Sequence, residues 1–106
     1  MLLSLFLKIW FFMYTHIVMW KFGSDVSDSN KSKMISLLTN LKSTIPELIE
    51  VEVNLNTSDS DFSYDIILNT KFNSFDEYKI YSNNNEHKEV VKFISSITEE
   101  KAVIDF

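Results

Sequence analysis

Cysteine is absent from this chain of 106 residues, glycine and proline occur once each, and all ten basic residues are lysine. The lack of cysteine excludes disulfides, thiolate metal sites and cysteine nucleophiles, and we therefore expect a reducing, cytoplasmic location. One glycine, Gly23, is too few for the phosphate-binding loops of nucleotide-dependent enzymes. A net charge of -5 without arginine argues against a nucleic-acid partner.

The residues that are present suit one small domain with a real core. Hydrophobic residues make up 45% of the chain and aromatic residues 14%. Because a domain of this size buries a limited share of its surface, we expect a second copy to add stability.

Alternating and helical hydrophobic patterns predict the order β-α-β-β-α-β. The predicted elements are a strand at 14–22, a helix at 28–43, strands at 49–56 and 64–72, a helix broken into 75–81 and 85–97, and a strand at 101–106. Ser27, Ser74 and Asn84 are the predicted N-caps. This order predicts a ferredoxin-like α+β fold, with a four-stranded antiparallel sheet and helices on one face. Since the other face is also apolar, we expect face-to-face pairing.

Five stretches resemble the stress-responsive dimeric alpha/beta-barrel (Dabb) family. They are, in order, THIVMWKF, TIPELIEVEV, YDIILNTKF, YSNNNEHKEVVKFI and EKAVIDF. Tyr81 and His87 match the first and last residues of the family's motif Y-x-x-H-P-x-H, whereas Asn84 and Asn85 replace its first histidine and its proline. The resemblance covers residues 13–106.

This resemblance implies a homodimer whose two sheets form an α/β barrel. Most members of the family have no established reaction and are described as stress-induced or uncharacterised. A plant subset are polyketide cyclases that need neither metal nor organic cofactor. In that subset a histidine and a tyrosine at the positions of His87 and Tyr81 carry acid/base chemistry, and a first-strand histidine at the position of His16 lies in the same cavity.

Two functions of different class follow from these residues. The first is a barrel that binds an apolar or aromatic small molecule without catalysis, in a pocket lined by Tyr14, Trp20 and Phe22. The second is a cofactor-free cyclase with His87 as acid/base, Tyr81 as hydrogen-bond donor and His16 assisting. Each of these side chains also has a structural alternative: aromatic core packing, or for His87 a bond to the local backbone.

Acidic residues are not spaced as metal ligands. Glu50 and Glu52 share the polar face of the second strand. Two alternatives follow: the pair binds a hard cation, or it lies on a solvated face without a ligand. Glu99 and Glu100 are predicted to precede the last strand at a solvated end. With two histidines and no cysteine in the chain, we expect no metal and no cofactor.

The first 12 residues, MLLSLFLKIWFF, stand apart from this domain. They are too few to span a bilayer, which takes about 20 apolar residues. Lys8 interrupts them, and they have neither the basic start nor the cleavage site of a signal peptide. Because family members commonly begin where Met13 stands, we expect an over-extended start; the alternative is a hydrophobic extension that lies on a membrane or covers the barrel. Mass spectrometry of the natural N-terminus distinguishes the two.

Overall fold

A computed structural model describes residues 13–106 of the chain. Its elements are β1 (Tyr14–Phe22), α1 (Asp28–Thr44), β2 (Glu50–Leu55), β3 (Ile66–Phe72), α2 (Phe75–Asn83), α3 (Asn85–Ile97) and β4 (Thr98–Asp105). The predicted order and the ferredoxin-like α+β fold are confirmed. The predicted extension at 1–12 lies outside the described residues.

The sheet has the order β2-β3-β1-β4, and every neighbouring pair is antiparallel. β1 is therefore a central strand that pairs on both sides. Val18 illustrates this arrangement, because it lies opposite Leu68 of β3 and Val103 of β4. Its neighbours in the chain point to the opposite face of the sheet.

The helices cover one face of the sheet, and the core lies between them and the strands. Met34, Leu38 and Leu41 of α1 are buried, as are Val90 and Ile94 of α3. These positions recur every three or four residues, which places each set on one side of its helix. The buried strand residues Val18, Trp20, Ile66, Leu68 and Phe72 complete the same cluster.

Side-chain caps start all three described helices where they were predicted. The Ser27 hydroxyl accepts a hydrogen bond from the Asn30 N–H at 3.1 Å, and the Ser74 hydroxyl accepts one from the Glu77 N–H at 3.2 Å. The Asn84 side chain accepts from the N–H groups of Glu86 and His87. Asn84 thus ends α2 and begins α3, so the substitution of histidine by asparagine leaves the helix start intact.

The last strand begins three residues earlier than predicted. Thr98 follows α3 directly and pairs with Phe22, and the Gly23 N–H donates to the Ile97 carbonyl at 2.9 Å. Glu100 accordingly lies inside β4, where its carboxylate is 3.4 Å from the Lys21 ammonium. The prediction that Glu99 and Glu100 precede the strand was wrong, because cross-strand pairing outweighs their polar character.

The outer face of the sheet carries a stripe of apolar side chains. In register across β3, β1 and β4 lie Ile67, Met19 and Ala102, followed along the sheet by Ile17 and Ile104. These residues are half-buried or exposed, whereas the residues between them in the chain face the core. Within residues 13–106, no helix has the length and hydropathy that crossing a bilayer requires.

Candidate functional site

His16 lies on the helix side of β1 and is only 9% exposed. Its Nδ1 atom is 2.5 Å from a carboxylate oxygen of Asp105, because the register of β1 and β4 places these two residues opposite each other. The carboxylate orients the imidazole and leaves Nε2 directed away from the pair. Asp105 is a site residue that sequence reasoning missed, since 89 positions separate it from His16.

Three aromatic side chains of α2 share one side of the helix, and the middle one contacts His16. Phe75, Tyr78 and Tyr81 are spaced three residues apart, and such spacing makes helical residues neighbours. The Tyr78 ring lies 4.7 Å from the His16 ring and 5.1 Å from the Tyr14 ring, measured between centroids. Tyr78 was not predicted as a site residue, although this spacing could have indicated it.

Tyr81 is buried behind Tyr78, with 1% of its surface exposed. Its ring centroid is 4.9 Å from that of Phe72 and 4.3 Å from that of His87. Burial, with a smaller effect of Tyr78, raises the pKa of Tyr81 well above its ordinary value. The hydroxyl therefore stays protonated and acts as a hydrogen-bond donor. Within residues 13–106 it has no hydrogen-bond partner.

His87 lies in the first turn of α3, and its Nδ1 atom is 3.3 Å from the Ser82 carbonyl oxygen. Burial lowers the pKa of His87, and the nearby His16 and Lys101 lower it further, although the bond to Ser82 opposes them. The imidazole is therefore neutral at neutral pH. Because a carbonyl only accepts, Nδ1 carries the proton and Nε2 has the free lone pair.

The lowered pKa of His87 predicts a pH dependence of stability. Above the ordinary pKa of 6.5 the imidazole is neutral in both the folded and the unfolded chain, so its contribution to the free energy of unfolding is fully present. As the pH falls below 6.5, the unfolded chain takes up a proton that the folded chain resists, and the free energy of unfolding decreases. We expect His87→Gln to lose less stability than wild type between about pH 7.5 and about pH 5, in urea unfolding. An equal loss in both proteins would contradict this assignment.

The four rings of His16, Tyr78, Tyr81 and His87 form a continuous row, hereafter the ring row. The consecutive centroid distances are 4.7, 6.3 and 4.3 Å. The structure thus brings together His16, Tyr81 and His87, which were predicted from three separate segments. Tyr14 joins the row through Tyr78. Burial raises the pKa of Tyr14, as do the charge of Asp105 and a hydrogen bond to its carboxylate.

Within residues 13–106, the predicted pocket residues Trp20 and Phe22 line different clefts, and Tyr14 lines neither of them. Trp20 is a core residue at the edge of a cleft of about 180 Å³ between α3 and β4. Phe22 lines a different cleft of about 580 Å³ with Lys31, at the other end of β1. Eight steps of about 3.3 Å separate Tyr14 from Phe22 along the strand, so one small ligand cannot contact both.

Towards β4, the ring row borders an edge strand whose side chains are mostly exposed. Lys101, Val103 and Asp105 alternate along the helix side of this edge strand, opposite Trp20, Val18 and His16. Val103 is nevertheless 49% exposed, whereas its partner Val18 is buried. The cleft of about 180 Å³ lies on the same side and is lined by Trp20, Val91, Ile94 and Lys101 among others.

The acidic residues considered as cation ligands lie elsewhere. Glu50 and Glu52 are exposed on β2, and a carboxylate oxygen of Glu52 accepts a hydrogen bond from the Asn54 side chain at 3.0 Å. Among residues 13–106, no cluster of three or more histidine and acidic side chains has a geometry that could hold a metal ion.

Solved structures with the same architecture come from bacteria and plants. A dimeric protein of unknown function from Bacteroides fragilis is 26% identical, with a TM-score of 0.72 over 89% of this chain and 94% of the other. A dimeric ferredoxin-like protein from Thermobifida fusca is 18% identical, with a TM-score of 0.80 over 89% of each chain. The hydroxynitrile lyase of Passiflora edulis is 18% identical, with a TM-score of 0.82 over 89% and 91%.

The family assignment comes from the sequence model of the whole domain. No curated protein matches the chain significantly in sequence. The model of the stress responsive A/B barrel domain matches residues 14–106, from the first residue of β1 to the last residue of the chain. The chain therefore belongs to the stress-responsive A/B barrel (Dabb) domain family.

Proposed function

We propose that this chain forms a homodimeric barrel that binds a small apolar or aromatic molecule beside the ring row. The observation that carries the proposal is the ring row of His16, Tyr78, Tyr81 and His87, in which the Tyr81 hydroxyl forms no hydrogen bond within residues 13–106. A bound ligand with an acceptor atom is a partner for this donor.

The surroundings of this donor indicate the chemistry of the ligand. The Phe72 and Tyr78 rings provide apolar surface, and the free Nε2 lone pair of His87 provides an acceptor. Ligand sites commonly combine such a wall with a few polar groups.

The homodimer is proposed from the outer face of the sheet. Two of the similar structures are described as dimeric, and both share the ferredoxin-like architecture. The apolar stripe of Ile17, Met19 and Ile104 needs a cover, and a second sheet provides one of matching shape. A two-fold axis places each stripe against its own copy.

Ligand binding is tested with a panel of phenolic and polyketide-like compounds by calorimetry. We expect His87→Ala to weaken each bound compound by about tenfold, because one hydrogen bond and one ring contact are lost. The matched control is Lys88→Ala, the next residue on α3, whose side chain is exposed. If every compound that binds does so equally well in both variants, His87 is not part of the site.

The second candidate function is a cofactor-free cyclase-like enzyme. The observation that favours it is the combination of a neutral His87 and a protonated Tyr81 at a ring distance of 4.3 Å. In such a reaction His87 Nε2 takes a proton from a carbon between two carbonyls, and the Tyr81 hydroxyl stabilises the enolate. The carbon then attacks a distant carbonyl of the same molecule, whose oxygen receives the proton back from His87. His16, held by Asp105, assists from the far end of the ring row.

Catalysis is distinguished from binding by Tyr81→Phe. This change removes one oxygen atom and keeps the ring that packs on Phe72. For an enzyme we expect turnover to fall by about a hundredfold or more, since a donor to a developing oxyanion is lost. For a binding protein the variant changes affinity only, and no compound of the panel is converted by the wild type.

The cellular role is proposed on coarser grounds. Family membership favours induction by stress, and the composition favours the cytoplasm. Transcript levels after heat or salt treatment and fractionation of cells test these two proposals. Accumulation without stress, or recovery in a membrane or secreted fraction, would contradict them.

A further inference from the structure

Tyr78 contacts more rings than any other side chain of the candidate site. Its centroid lies within 6.3 Å of those of five other rings, which belong to Tyr14, His16, Phe72, Phe75 and Tyr81. It is half-buried, whereas Phe72 and Tyr81 behind it are sealed from solvent. Tyr78 is therefore the outer layer of the site on the α2 side.

The Tyr78 ring shields the imidazole of His16. The planes of the two rings are inclined by 44° at a centroid distance of 4.7 Å, so the tyrosine ring covers part of the imidazole. Only 11% of the His16 side-chain surface is exposed to solvent. On its other sides His16 is held by the Asp105 carboxylate and by the neighbouring strands.

The hydroxyl of Tyr78 is available to a ligand. Burial raises the pKa of Tyr78, and the charge of Asp105 raises it further, so the group is a neutral donor. Within residues 13–106 this hydroxyl forms no hydrogen bond. It thus adds a second free donor next to the one on Tyr81.

We propose that Tyr78 is the specificity-determining residue of the site, because its ring controls which molecules reach His16. Because the ring covers part of the imidazole, we expect a flat, single-ring compound to reach His16 more readily than a fused two-ring compound. This inference deepens the proposed binding function and rests on it for the identity of the site. Access to His16 can nevertheless be measured without any ligand.

Diethyl pyrocarbonate is a small probe that acylates an accessible neutral imidazole nitrogen. Only two histidines occur in the chain, so mass spectrometry of peptides reports His16 and His87 separately. We expect Tyr78→Leu to raise the modification rate of His16 by about tenfold, because no local opening is then needed. Tyr78→Phe keeps the ring and should react at the wild-type rate. An unchanged rate in Tyr78→Leu overturns the proposal.

The matched control is Phe75→Leu, one turn earlier on α2. This ring contacts Tyr14 and Tyr78 but is half exposed to solvent, and its loss should leave the His16 rate unchanged. A rate increase as large as that of Tyr78→Leu would mean that loosening of α2, rather than the Tyr78 ring, exposes His16. Circular dichroism of each variant shows whether α2 and α3 are retained.

Phenol and 1-naphthol then serve as single-ring and two-ring probes that protect His16 from the reagent. In the wild type we expect phenol to protect His16 better than 1-naphthol does. In Tyr78→Leu the ratio of protection by 1-naphthol to protection by phenol should rise by about tenfold, as expected for a newly opened apolar pocket. An unshifted ratio overturns the selection by size. A third result separates the two proposals: neither probe protects His16 in any variant, but the modification rate of His16 is raised in Tyr78→Leu. This result counts against the proposed binding function and supports the control of access by Tyr78.

Discussion

Replacement of Met19 by glutamate is expected to convert the proposed homodimer into a monomer. Met19 lies at the centre of the apolar stripe, between Ile67 of β3 and Ala102 of β4. In a face-to-face dimer the two-fold axis brings both copies of this residue into the interface. Two buried carboxylates without partners cost several kcal/mol, so the dissociation constant should rise by about a thousandfold or more.

Sedimentation velocity at micromolar concentration measures this change. The matched control is Lys88→Gln on α3, which lowers the net charge by one, as Met19→Glu does, but lies on the helix side. The control should remain dimeric. A monomeric wild type would refute the homodimer, and a dimeric Met19→Glu would show that another surface forms the contact.

Replacement of Phe72 by alanine is expected to be the most destabilising change in the domain. Phe72 is fully buried at the end of β3, where its ring contacts Tyr78 and Tyr81 at centroid distances of 5.4 and 4.9 Å. Removing a buried phenylalanine leaves a cavity and costs about 3–5 kcal/mol. Small domains have about 5–15 kcal/mol of stability, so this loss is a large fraction of the total.

The control for Phe72→Ala is the same substitution at a surface phenylalanine. Phe62 lies between β2 and β3 and is 92% exposed, so Phe62→Ala should change stability by less than about 0.5 kcal/mol. Urea unfolding of all three proteins at one concentration measures both values, since dimerisation makes stability depend on concentration. Similar midpoints for Phe72→Ala and Phe62→Ala would show that the packing around Phe72 is not tight.

The elements of this fold were predictable because their signals are local. The alternation from Tyr14 to Phe22, the helical spacing of Met34 and Leu38, and the caps at Ser74 and Asn84 each depend on a few adjacent residues. The end of α3 was also predicted, but the start of β4 was not. Thr98 and Glu99 have no strong local preference, and they become strand residues because β1 offers them hydrogen bonds.

The candidate site was predictable only in part, for a related reason. His16, Tyr81 and His87 were identified through a family resemblance, and the structure brings them together in the ring row. Asp105 and Tyr78 carry no family signal in the sequence, and they join His16 through strand register and helix packing.

The sequence by itself determined the elements, their order and the two apolar faces of the sheet, because hydrophobic periodicity reports which side of a strand or helix avoids water. The tertiary structure alone decided which side chains meet. It paired His16 with Asp105 across 89 positions, placed Tyr78 over the imidazole, and separated Phe22 from Tyr14 by the length of a strand. Such contacts depend on the register of distant strands and on how a helix is rotated over the sheet, and no local pattern encodes either quantity.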